Sequence, residues 1–185
     1  PTEVSIDFEA GVPVAVNGEK MKVSQIIAKL NELGGKNGIG ILDIVENRLI
    51  GMKDHGIYET PGGTILYFAH EQLEMLTLDK ETAHMKSKLA VDYADLIYNG
   101  KWFSALQEAL TAFAKKANEN CTGTVKLKLY KGNMINAGIT SPNSLYSENL
   151  VTFGESDFDQ AQSAGFINIW GLPTKVQSLL KSGKL

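Results

Sequence analysis

The chain has 185 residues, 43% of them hydrophobic and 21% charged, with a formal net charge of −3 and a pI near 5.7. This is ordinary globular usage for one domain, or one domain with a tail, and without a basic stripe it excludes a nucleic-acid surface. The single cysteine, Cys121, excludes an internal disulfide and a thiolate zinc cluster, and no run of 18 apolar residues or signal-peptide pattern points to a membrane, so a reducing cytoplasm is the expected compartment.

Pro1 is not an initiator residue, and a Met or a longer segment is expected to have preceded it. Val4, Ile6 and Phe8 alternate with polar residues, and Val12, Val14 and Val16 alternate again after Gly11. This predicts a β-hairpin with one buried face, followed by a turn at Asn17-Gly18. Val23, Ile26, Ile27, Leu30 and Leu33 recur at helical spacing, with Ser24 as the expected N-cap and Gly34-Gly35 as the expected stop. The apolar, β-branched run 38–45 predicts a buried strand.

A helix is predicted from Gly63 to Met75, just after Pro61, and a second from about Asp79 to Tyr98, with Met85, Leu89, Tyr93 and Leu96 along one face and Asn99-Gly100 as its stop. Leu106, Ala109, Leu110, Phe113 and Ala117 form the stripe of the next helix. Val125, Leu127 and Leu129 then alternate with lysines, turn at 131–133 and return as a strand to about Ile139. From Asp159 onward the pattern is helical, interrupted at Gly171 and Pro173, and Val176, Leu179 and Leu180 need a partner surface. Helices grouped between strand pairs predict an α+β fold. Its mostly antiparallel sheet is built from hairpins and packed against several helices, with a C-terminal helical tail. The expected division is residues 1–170 for the main domain and 171–185 for the tail.

Chemistry is sparse. The glycine-rich run 34–40 follows a helix and precedes a strand, the reverse of a phosphate-binding loop, and reads as a helix end. His55, His70 and His84 have no second histidine at metal-ligand spacing. Ser141 and Ser144 lack a His-Asp partnership and read as part of a turn. Trp102, Phe103 and Trp170 read as core or interface anchors. Residues 43–60 stand apart. Asp43, Glu46, Asn47 and Arg48 crowd the end of an apolar strand, and Lys53, His55, Tyr58 and Glu59 follow on a glycine-bounded loop. Such a segment suits a polar ligand site built at a strand end, or a solvated turn held by a Glu–Arg pair. Glu46 would accept hydrogen bonds from an ammonium or ureido N–H, and Tyr58 would offer a hydroxyl and a ring face.

Asp-Ile-Val-Glu-Asn-Arg at 43–48, Gly-Met-Lys at 51–53 and Gly-Ile-Tyr-Glu-Thr-Pro at 56–61 resemble the signature of the argininosuccinate synthase family. The likeness continues through Gly11-Val-Pro-Val14, Ala69-His70, Leu129-Tyr-Lys-Gly132, Ser144-Leu-Tyr146 and Gly165-Phe-Ile167, and covers essentially the whole chain. The family condenses citrulline with aspartate, converting ATP to AMP and pyrophosphate, and assembles tetramers partly through a C-terminal helix. This chain resembles its second half. By that resemblance Glu46 and Tyr58 are citrulline-binding residues, ATP belongs to the absent nucleotide-binding domain, and no metal or catalytic residue lies here. One departure is Lys53-Asp-His-Gly56, where many members read Lys-Ser-Arg-Gly. A non-catalytic amino-acid-binding or assembly module derived from the family is the alternative.

Overall fold

Alternating β-branched and polar residues produce β1 (Thr2–Glu9) and β2 (Val12–Val16), with a short β3 (Glu19–Lys20) after the Asn17-Gly18 turn. The computed structural model describes residues 1–151 and 159–185, which fall into two units, Pro1–Leu145 and Tyr146–Leu185. In the first unit, β6 (Gly123–Tyr130) and β7 (Asn133–Thr140) form the late hairpin. β6 docks antiparallel on β1, from Thr2↔Leu129 to Phe8↔Gly123, and gives a five-stranded sheet in the order β3-β2-β1-β6-β7. The expected α+β fold with an antiparallel, hairpin-built sheet is what is observed.

One face of the sheet carries the core. Val4, Ile6 and Phe8 of β1 and Val125, Leu127 and Leu129 of β6 are all at most 2% exposed. They pack against α1 (Val23–Lys36), which buries Ile26, Leu30 and Gly34, and α2 (Pro61–Thr77), which buries Ile65, Ala69 and Leu73. Both sets recur every three or four residues, so each helix lays one stripe on the sheet. The single buried face expected of the first hairpin holds for β1 but not throughout β2. A bulge between Asp7 and Phe8 shifts the register, and Val12 stands 51% exposed while Ala15 and Val16 are buried.

The expected ends of α1 are corrected. Its N-cap is Lys22, whose backbone N–H donates to the Gln25 side chain, and Ser24 lies inside the first turn. Gly34 and Gly35 continue the helix to Lys36. Gly34 is required for approach, because a Cβ there would meet Pro61 Cβ at 2.7 Å and Ile65 Cδ1 at 2.9 Å. The turn into positive φ comes later, at Gly38.

α3 (Lys80–Tyr98) starts on Asp79, whose carboxylate accepts from the Thr82 backbone N–H at 2.9 Å, and ends at Asn99-Gly100 as expected. α4 (Ala105–Ala117) is capped by Ser104 and packs on α3. The buried Gln107 amide donates to Tyr93 and Thr111 hydroxyls between these two helices. The second unit holds α5 (Glu148–Val151), α6 (Gln162–Trp170) and α7 (Leu172–Lys181).

The run 38–45 does not become a buried strand. Its outer part forms β4 (Ile41–Asn47), which among the described residues pairs only with β5 (Lys53–Glu59), and Ile41 and Val45 are about two-thirds exposed. A continuous apolar run records hydrophobicity but not which surface covers it.

Candidate functional site

β5 is the segment read from sequence as a polar loop. Pairing with β4 makes residues 41–59 one antiparallel ribbon, from Ile41↔Glu59 to Asn47↔Lys53. Its tip closes through two backbone bonds, Arg48 N–H to Met52 carbonyl and Gly51 N–H to Arg48 carbonyl, each at 2.8 Å. At its base, Thr60 N–H donates to the Gly40 carbonyl at 2.9 Å, immediately before α2 begins. A further tie comes from α3, where the Tyr98 hydroxyl donates to the Asn47 carbonyl.

Because strand side chains alternate, the ribbon has two chemically different faces. Leu42, Ile44, Glu46, Asp54, Gly56 and Tyr58 share one of them. There the two candidate residues meet, as the Tyr58 hydroxyl donates to the Glu46 carboxylate. That hydrogen bond, with burial and the negative charge of Glu46 behind it, holds the Tyr58 phenol above its ordinary pKa. The pair therefore presents its remaining carboxylate lone pairs and the phenol oxygen as acceptors, suited to a ligand rich in N–H groups.

The Glu–Arg pair of the alternative solvated-turn reading is not formed. Arg48 bonds instead to Asp54 at 2.8 Å, which leaves Glu46 to Tyr58. Asp54, Gly56 and Tyr98 were not singled out by sequence as contributors to this arrangement. Their roles depend on cross-strand register and on a helix about fifty residues away, which no local pattern reports.

The opposite ribbon face carries Ile41, Asp43, Val45, His55 and Ile57. His55 is thus a strand residue rather than a loop residue, with Nε2 at 2.5 Å from Asp43 Oδ1. His55 therefore faces away from Glu46 and Tyr58. Among the described residues no cluster of histidine, cysteine and carboxylate groups is arranged to hold a metal ion, and no helix is long and apolar enough to cross a membrane.

The broad concavity of the first unit lies elsewhere. A mostly apolar groove of about 890 Å³ runs beside Phe8, Ile27, Leu66 and Tyr67, with His70, Glu74 and Lys86 among its lining. Its lining includes neither Glu46 nor Tyr58. We place the candidate site on the ribbon because hydrogen-bonded polar chemistry is concentrated there. In the groove, His70 Nδ1 and Lys86 Nζ approach Glu74 Oε1 at 3.2 and 2.8 Å. Burial of His70 outweighs the attraction of Glu74 and lowers its pKa. A depressed folded-state pKa gives stability that is complete above the unfolded value of about 6.5 and is lost as pH falls from there through the lower folded value. Urea midpoints should therefore drop between pH 7.5 and 5.5, and drop less steeply in a His70→Gln variant. Equal slopes would assign the effect to other groups.

Two comparisons bear on this arrangement. The profile of the Arginosuccinate synthase C-terminal domain family matches residues 1–177. The chain is also similar to proteins named argininosuccinate synthase. It is 57% identical over 182 residues to that of Desulforamulus reducens, covering 98% of this chain and 45% of that protein. To a Clostridium botulinum protein (strain Alaska E43) it is 58% identical over 190 residues, covering all of this chain and 47% of the relative. To that of Carboxydothermus hydrogenoformans it is 59% identical over 180 residues, covering 97% and 45%. The chain thus spans slightly less than half the length of these curated relatives.

Proposed function

We propose, from the premise that this chain belongs to the Arginosuccinate synthase C-terminal domain family, that it supplies the citrulline-binding face and assembly surfaces of an ATP-dependent carbon–nitrogen ligase of arginine biosynthesis. The observation that carries the reading is the meeting of Glu46 and Tyr58 on one ribbon face, twelve residues apart in sequence and joined by a hydrogen bond. In the reaction, the citrulline ureido oxygen attacks the α-phosphorus of ATP. Pyrophosphate leaves, and the aspartate amine then displaces AMP to give argininosuccinate. Glu46 and Tyr58 hold and orient citrulline by accepting its N–H groups, which fixes the ureido oxygen toward the nucleotide.

Two features support a division of labour with a nucleotide-binding domain. Small-ligand sites bury most of their ligand in a concavity, whereas Glu46 and Tyr58 stand on an open ribbon and need a facing surface. Among the described residues no glycine-rich loop sits between a strand and a helix N-terminus, the geometry that cradles phosphates. ATP is accordingly a co-substrate held mainly by that other domain, and the chain by itself is inactive. The setting is cytoplasmic.

Assembly into a homo-oligomer, a tetramer as in the family, accounts for the apolar surface of the second unit. Phe166 and Trp170 of α6 stack at 5.6 Å and are 62% and 76% exposed, and Leu172, Val176 and Leu180 of α7 are exposed as well. Residues 171–185 act in this reading as a helical tail used in oligomer contacts, with residues 1–170 as the domain that carries the site.

Pyrophosphate release with ATP, citrulline and aspartate tests the division. The pure chain should release none, and addition of a separately produced family nucleotide-binding domain should restore release. Release by the pure chain would overturn the proposal. Silence in a mixture shown to associate would leave a binding or assembly module.

A further inference from the structure

In the ribbon register, Tyr58 lies opposite Leu42, while Glu46 lies opposite Asp54. Their backbones are offset by four residues along the strands, about 13 Å at the usual rise. A tyrosine standing upright from the sheet would not reach. The ring instead lies along β5 over residue 56, and a Cβ built on Gly56 would meet Tyr58 Cε2 at 2.7 Å and Cζ and Oη at 2.8 Å. These are closer than any real Cβ contact tolerates. The φ of Gly56 is not among the positive values of the chain, so its backbone conformation is open to other residues. The glycine is therefore used for the space above its Cα rather than for backbone freedom.

We propose that Gly56 is a positioning residue: the bare Cα lets the Tyr58 ring lie flat along the strand and delivers its hydroxyl to Glu46. The effect on ligand rests on the citrulline reading above, while the geometry does not. With a side chain at 56 the ring swings out, because it is the movable end of a flexible residue. Glu46 then loses its donor, and the two acceptors no longer face a ligand as one preset pair. The higher phenol pKa imposed by Glu46 supplies an independent signature of their contact.

The test compares the parent chain with Gly56→Ala, Tyr58→Ala and the double variant. In ultraviolet titration of the tyrosines, the component removed by Tyr58→Ala should titrate lower in Gly56→Ala than in the parent. Citrulline affinity, read in enzyme reassembled with a nucleotide-binding domain, should fall about 3- to 10-fold in Gly56→Ala, the scale of one hydrogen bond. In the Tyr58→Ala background the same substitution should add nothing, since no ring remains to displace. A merely structural glycine would instead weaken binding equally in both backgrounds. That result, or an unchanged Tyr58 titration in Gly56→Ala, overturns the proposal. A shifted titration with citrulline binding indifferent to both residues supports the positioning role and removes the citrulline reading.

Discussion

Glu46→Ala is expected to raise the KM for citrulline by roughly 10- to 100-fold in the reassembled enzyme, the range for loss of a charged acceptor facing ligand N–H groups. The effect should exceed that of Tyr58→Phe, for which about 2- to 10-fold corresponds to loss of a neutral hydroxyl with the ring retained. The difference follows from the geometry. Tyr58 donates to Glu46, so removing the carboxylate also releases the phenol, whereas removing the hydroxyl leaves the carboxylate in place. Steady-state kinetics at saturating ATP and aspartate read the effect, and the KM for ATP should stay near the parent value on the proposed reading that the other domain holds the nucleotide. Unchanged citrulline kinetics in both variants would show that the ribbon face is not the citrulline surface.

Gly40→Ala should destabilise the chain by about 2–5 kcal/mol. Gly40 adopts φ +82°, and a Cβ there would stand 2.7 Å from Pro61 N, Pro61 Cα and the Thr60 carbonyl carbon. The first problem is the left-handed penalty of about 1–2 kcal/mol for an L-residue, and the second is overpacking, which costs typically 1–3 kcal/mol. Here the neighbours are backbone atoms and cannot turn aside as a side chain can. The Gly40 carbonyl also accepts the Thr60 N–H, so the strain falls where the ribbon leaves the core and where it returns to α2. Urea unfolding should show a lower midpoint with an unchanged slope. A midpoint equal to that of the parent would mean that the ribbon base yields freely, contrary to the close contacts at Pro61.

The sheet was legible in the sequence because period-two alternation states both the conformation and the buried face. Val125, Leu127 and Leu129 sit where that rule puts them. Helix existence was legible for the same kind of reason, from the spacing of Ile26 and Leu30. The helix end was not, because Gly34 is selected by its approach to Pro61 and Ile65 rather than by capping, and a glycine looks the same in either role. The ribbon was the hardest element. Lys53-Asp54-His55-Gly56 has little strand propensity and becomes extended through pairing with β4, a tertiary override of local preference. Glu46 and Tyr58 entered through the likeness of their motifs to a family. Their contact, and the part of Gly56 in it, required the register.

The position of β1 has a consequence during synthesis. Thr2 to Phe8 emerge from the ribosome before the other elements described here, yet β1 is an interior strand whose second neighbour, β6, follows about 120 residues later. At about 5–20 residues per second, roughly 6 to 25 s pass before that edge is covered. Through this interval the nascent β1–β2 hairpin presents an open strand edge beside Val4, Ile6 and Phe8, the kind of surface that recruits other strands. The β4–β5 ribbon, closed by a short local turn, forms without waiting. The earliest-made strand of this sheet is thus among the last completed, and its shielding in the meantime falls to α1 or to a chaperone.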